Sequence, residues 1–263
     1  MSPLNRLTLA FLLGSLVGAP LIAQNAPRTV HVFVALADNA NQGIVPVPAK
    51  LGNGEDAERN LYWGSAFGVK TFFSRSADWK LLSSGEKPKQ EVLERCTFKH
   101  RSANVYLVAD AYRGREIQTA ILNFLDAAAG VSWEQIKVND GEQTVTLTIR
   151  GGSNLVAYIG HDGLMDFKLS RIPARKNNIP RQAIILACAS KLYFAGPLRA
   201  SGAYPLLWAT NLMAPEAYTL KSALDGWIRG ESDEEIRDRA AAAYDKYQKC
   251  GIHAARKLMA SGW

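Results

Sequence analysis

Two short apolar runs in this chain end in side chains suited to nucleophilic chemistry. They read Tyr158-Ile-Gly-His161-Asp-Gly163 and Leu186-Ala-Cys188-Ala-Ser190. A protonated thiol is a poor nucleophile, and an imidazole beside it takes the proton and later returns it to a leaving group. Glycines at 160 and 163 let a substrate carbonyl approach the backbone closely. Backbone amides around Asp162, Gly163 and Cys188 are then placed to hold a developing oxyanion.

For these side chains to meet, the runs that carry them must be neighbouring strands. Leu155–Ile159 (LVAYI) and Ala183–Ala187 (AIILA) are short, apolar and bounded by turn residues, the pattern of strands buried on both faces. Thr29–Ala37 and Asn104–Ala111 read the same way, and Tyr204–Thr210 reads as a further strand with Pro205 at its start. Thr144–Ile149 alternates threonine with apolar residues and predicts an edge strand or hairpin arm. Between them, Asn60–Phe73 and Glu116–Ala129 carry apolar residues at helical spacing, the second closed by Gly130. Ser74–Ser102 is polar and charged, anchored by Trp79, Leu81 and Leu82. The carboxyl end predicts helices over 212–229 and 232–261, the latter opened by the capping box Ser232-Asp-Glu-Glu235. Strands separated by helical stretches give an α/β chain with a mainly parallel sheet and helices on both faces. Catalytic groups of such sheets gather beyond the carboxyl ends of the strands. Asp38 and Asp110 also lie at strand ends and are expected to line the same cleft, one of them binding a basic substrate group.

The amino terminus stands apart from the fold. Leu7–Leu16 is an apolar run of the length of a signal-peptide core, followed by small residues at Gly18, Ala19 and Ala23. A leader over residues 1–23, cleaved after Ala23, predicts a secreted or periplasmic protein. One domain over 24–263 then has no membrane span. The net charge of +7 comes from dispersed basic residues rather than a block, so nucleic acid is not an expected partner. Three cysteines in an oxidising compartment leave one over. With Cys188 as that one, Cys96 and Cys250 are either a disulfide pair or two packed small groups. No metal spacing, phosphate loop or G-x-S-x-G elbow occurs, so neither a metal nor a nucleotide cofactor is expected.

Histidine in a glycine-rich turn after one strand, with Ala-Cys after the next, resembles the caspase-like fold of clan CD cysteine peptidases. In style it is most similar to the gingipain-like and separase-like bacterial members. The segment Tyr204–Ile228, a Leu-Leu-Trp strand leading through Asn211 to a helix starting near Pro215-Glu216, is similar to the strand and helix that follow the cysteine there. The resemblance spans Thr29–Ile228, with its motifs in Asn154–Ile228. It implies a caspase-like three-layer sandwich and a Cys188/His161 dyad performing acyl transfer on a peptide or protein substrate, without a cofactor. One residue departs from the pattern. The family places glycine directly after the histidine, whereas this chain has Asp162, with Gly163 one later. A carboxylate there opposes an oxyanion, which leaves a second expectation open: a caspase-like binding or assembly module without catalysis.

Overall fold

The structure, a computed structural model, describes residues 26–141 and 143–263. The leader expected over residues 1–23 lies outside the described residues. The protein is an α/β chain built on one large, mostly parallel sheet. Strands β1 (Arg28–Ala35), β2 (Trp79–Glu86), β3 (Val92–His100), β4 (Val105–Tyr112), β7 (Leu155–Ile159), β8 (Gln182–Leu186), β9 (Tyr204–Ala209) and β10 (Met259–Ala260) form it, in the order β10-β9-β8-β7-β1-β4-β3-β2. The central five, β9-β8-β7-β1-β4, run parallel, while β2, β3 and β10 add antiparallel edges. A separate hairpin pairs β5 (Trp133–Asp140) with β6 (Gln143–Arg150).

Helices cover both faces because the central strands are apolar on both. On one face, α2 (Ile117–Ala129) and α3 (Ser190–Ser201) pack on Phe33, Val156, Tyr158 and Ile185. Rings of Phe33, Phe124, Tyr158 and Phe194 stand 5.7–6.2 Å apart there, in tilted and edge-on arrangements. The other face carries α1 (Val69–Ser74), α4 (Ala217–Arg229) and α5 (Asp233–Gln248) over Val32, Val34, Ala157 and Ile184. Gly130 and Gly230 end α2 and α4 in the left-handed conformation that favours glycine. Ser232 and Glu235 form the expected capping box on α5. Among the described residues no helix is long and apolar enough to cross a membrane.

Three segments differ from their sequence pattern. Asn60–Phe73 is helical only in α1, and the stretch before it is a chain of turns. Backbone packs onto backbone there: a Cβ on Gly64 would stand 1.9 Å from the Glu58 carbonyl oxygen, and one on Gly68 2.3 Å from that of Trp63. Ser74–Ser102 holds two strands, β2 and β3. Charge hides them, because Glu94 and Arg95 point into the protein and are satisfied by ion pairs. The final helix breaks at Lys249 and Gly251, both at positive φ, and resumes as α6 (Ile252–Leu258) before β10.

The three cysteines are free thiols. Cys96 is a packed group in the core on β3, and Cys250 is exposed.

Candidate active site

Chain order and strand order diverge at β1. From it the chain runs out to the edge strand β2 and returns through β3 to β4 on one side, then crosses to β7, β8 and β9 on the other. Loops diverge at such a reversal and leave a crevice outside the carboxyl ends of the strands. A cavity of about 520 Å³ lies there. Its walls come from the segments that follow β1 (Gly43, Ile44, Val45), β7 (Gly160, His161), β8 (Cys188) and β9 (Leu212, Met213).

Register sets the histidine beside the cysteine. Ile159 of β7 is paired with Leu186 of β8, and the amide of Gly160 continues the ladder by donating to the Leu186 carbonyl at 3.3 Å. His161 and Cys188 are each two residues past that pair, and both line the cavity. Gly160 has φ +151°, and a Cβ on it would meet the Ala35 carbonyl oxygen at 2.9 Å. Glycine is therefore required for the turn that carries the histidine. The buried Tyr158 hydroxyl donates to the His161 carbonyl at 2.8 Å and fixes the same turn from below.

His161 is nearly buried, and its Nε2 meets Asp166 Oδ2 at 2.6 Å. The amide of Gly43 donates to that same carboxylate oxygen at 3.1 Å, which ties the loop after β1 to the histidine. A proton on Nε2 leaves Nδ1 as the basic nitrogen, and Nδ1 has no hydrogen-bond partner among the described residues. Cys188 is half-buried; its Sγ accepts from the Met213 amide at 3.4 Å and donates to the Met213 carbonyl at 3.5 Å. The next residue, Ala189, has φ 47° and ψ 30°, a left-handed conformation that a side chain disfavours. α3 begins directly after it. The thiol thus sits on a sharp strand-to-helix turn, the kind of backbone strain that clusters at working sites. Neither the amide of Asp162 nor that of Cys188 has an acceptor among the described residues; Cys188 lines the cavity, whereas Asp162 is wholly buried and lies outside its lining.

The remaining expected residues are placed as follows. Asp162 is wholly buried and turned away from the role its position suggests. Its Oδ1 accepts from the Leu164 amide at 3.0 Å and caps the 3-10 turn Gly163–Met165, while Oδ2 has no partner. Burial, reinforced by the neighbouring charge of Asp166, pushes its pKa up to about 7. Gly163 donates its amide to the His161 carbonyl at 3.1 Å, and a Cβ there would collide with the Phe167 ring at 2.6 Å. Its amide is spent within the turn rather than aimed at a substrate. Asp38 accepts from the amides of Ala40 and Asn41 and from the Asn41 side chain, shaping its own loop. Asp110 lies under the β5–β6 hairpin, bound to His31 and Arg95. Neither Asp38 nor Asp110 lines the cavity.

Asp166 and Glu216 are the site groups that sequence reading passed over. The first reads as a turn or cap residue, and the second as the start of a helix. No spacing rule links either to His161 or Cys188, because folding of the loops after β7 and β9 brings them in. Among the described residues no group of three or more His, Cys, Asp or Glu is arranged to hold a metal ion. Neither known protein families, curated proteins nor solved structures include a match to this chain.

Proposed function

We propose that the protein is a caspase-like cysteine hydrolase acting on peptide bonds, with Cys188 as nucleophile and His161 as general acid–base. One observation carries the reading: the paired strand ends of β7 and β8 deliver an imidazole and a thiol to one cavity, the thiol on a strained turn. In the proposed reaction, Nδ1 of His161 takes the Cys188 proton as Sγ bonds to the substrate carbonyl carbon. The amide of Cys188, at the cavity wall, holds the oxyanion. Collapse breaks the C–N bond, the leaving amine takes the proton from His161, and water then cleaves the thioester by the reverse proton path. Asp166 orients the ring throughout and balances its charge.

The side chain of Asp162 is the reason to weigh an inactive module, since it follows the histidine where glycine is usual. It caps Leu164 from a buried position outside the cavity lining, so its carboxylate is not aimed at the developing oxyanion. Export is proposed on the apolar run Leu7–Leu16 alone.

The test is peptide-library profiling of the purified protein beside Cys188→Ala and His161→Ala. Cleavage that both variants lose supports the hydrolase. Equal products from the parent and both variants, or none from any of them, would leave the binding-module reading in its place.

A further inference from the structure

A second cavity, of about 360 Å³, shares no lining residue with the one beside Cys188. It lies where the hairpin β5–β6 meets α2 and the turn between β2 and β3, and Lys89, Ser132, Trp133, Glu134 and Arg150 form most of its wall. Arg150, the last residue of β6, is 3% exposed and has φ 58°, a backbone angle that residues with a side chain disfavour. Its amide donates to His31 Nδ1 at 3.2 Å, and the amide of Gly151 donates to the Ser132 carbonyl at 2.7 Å. The chain is thus pinned on both sides of the strained residue, as at positions where a side chain is held for use.

The guanidinium held there leaves most of its hydrogen bonds unmade. Of its five N–H donors, Nε donates to Glu134 Oε2 at 2.9 Å, Nη1 reaches Asn123 Oδ1 only at 3.5 Å, and Nη2 has no hydrogen-bond partner. The Tyr112 hydroxyl stands beside it but outside hydrogen-bond geometry. Ser132 Oγ is likewise buried without a partner. Glu134 is the one acidic side chain in the wall, and both its oxygens are taken by Arg95 and Arg150. Lys89 adds a second cation, held only loosely by Glu91 at 4.0 Å. A buried cation with open donors lacks the bonds that offset its desolvation. Trp133 supplies a flat apolar surface: its Nε1 donates to the Gly130 carbonyl at 3.1 Å, which fixes the ring, and the side chain stays half exposed.

We infer that this cavity binds a small molecule carrying a carboxylate or phosphate group on a flat apolar body. The oxyanion accepts from the donors that Arg150 and Ser132 leave open, with Lys89 adding charge, and the body lies on the Trp133 ring. A cationic ligand would meet two positive side chains. The site is independent of the hydrolase reading, because it uses neither the thiol nor the imidazole.

The experiment titrates the protein with benzoate, phenyl phosphate, benzamide and inorganic phosphate, followed by calorimetry and tryptophan emission. Benzoate or phenyl phosphate is expected to bind saturably at one site, about tenfold or more tighter than benzamide, which keeps the ring and lacks the charge. The tighter of the two identifies the head group. Inorganic phosphate, which lacks the ring, should bind about tenfold more weakly than the better aromatic anion. Trp133→Ala and Lys89→Gln alter exposed side chains and should each weaken that anion by about five- to tenfold. Arg150→Lys keeps the charge, loses the planar fork and should weaken it at least as much; the two exposed variants decide the matter if this one fails to fold. Cys188→Ala should leave binding unchanged. The assignment is overturned if benzamide binds as tightly as both aromatic anions, if neither anion binds saturably, or if Trp133→Ala and Lys89→Gln both leave the affinity as it was. None of these readouts involves peptide cleavage, so the hydrolase reading stands or falls separately.

Discussion

His31 meets Asp110 at 3.1 Å on adjacent strands, and His161 meets Asp166 at 2.6 Å past the end of β7. The residue types are the same, and the surroundings are opposite. Both side chains of the first pair are fully buried; those of the second are 8% and 39% exposed. Asp110 also takes two hydrogen bonds from Arg95, at 2.6 and 2.8 Å. Arg95 reaches on to Glu134, which holds Arg150 at 2.9 Å, while the amide of Arg150 donates to His31 Nδ1 at 3.2 Å. Burial alone would raise the Asp110 pKa, but the hydrogen bonds from Arg95 and His31 outweigh it and hold the carboxyl well below its ordinary range. His31 is pushed down, because desolvation exceeds the pull of Asp110. Every polar atom of the His31 ring is committed, and β5–β6 lies over it. In the second pair one ring nitrogen is committed and the other is not. The first pair has every ring valence used, whereas the second leaves Nδ1 of a cavity-lining histidine without a partner among the described residues.

This difference can be broken from either side. Replacement of Cys188 by alanine is expected to lower peptide cleavage by at least about 10³-fold with the melting transition little changed. Asp110→Asn should do the reverse. Loss of a fully buried charge that pairs with Arg95 should destabilise the fold by about 3–5 kcal/mol in denaturant titrations. Turnover per folded molecule is expected to stay as it was. Asp166→Asn should cost about ten- to a hundredfold in kcat/KM, with a stability change under about 1 kcal/mol, since its carboxylate is exposed and screened. Equal stability losses for Asp110→Asn and Asp166→Asn would remove the distinction between the pairs.

Asp162 sharpens the comparison through pH. Its pKa stands at about 7 in the fold against an ordinary 3.8, so the folded state holds a proton that the unfolded state has released between those values. Stability therefore falls as pH rises through that window and the buried charge forms. Asp162→Asn should be more stable than the parent by about 1–2 kcal/mol at pH 8. The two proteins should converge toward pH 4, as measured by chemical denaturation across the range.

Much of the sheet was legible because the central strands are buried on both faces and read as uninterrupted apolar runs. β1, β4, β7, β8 and β9 each follow that pattern, and α2 follows the helical one with its glycine stop. β2 and β3 were illegible for the complementary reason. Glu94, Arg95 and Lys99 place charge inside a strand; in the fold Glu94 and Arg95 are buried in ion pairs, while Lys99 is half-buried and donates to the His100 and Ala103 carbonyls. The helix expected over Asn60–Phe73 failed because Gly64 and Gly68 serve backbone packing, a tertiary demand that helical periodicity does not register.

His161 and Cys188 were recognisable because their position, at the ends of two apolar runs, is itself a local pattern. That they face one cavity depends on register between β7 and β8, a non-local fact. The companions of this pair depended on tertiary structure still more. Asp38, Asp110 and Asp162 have the residue type and strand-end placement that chemistry asks for, and the structure employs them as a loop brace, a buried ion partner and a turn cap. Asp166 and Glu216 carry no sequence signal that separates them from ordinary turn and helix-start residues. Chain-local hydropathy determined which segments became strands, because burial on a sheet leaves its mark within a few residues. Only the tertiary structure decided which carboxylate meets the imidazole and which one lines the same cavity as the thiol, because that depends on how separate loops close over one sheet edge.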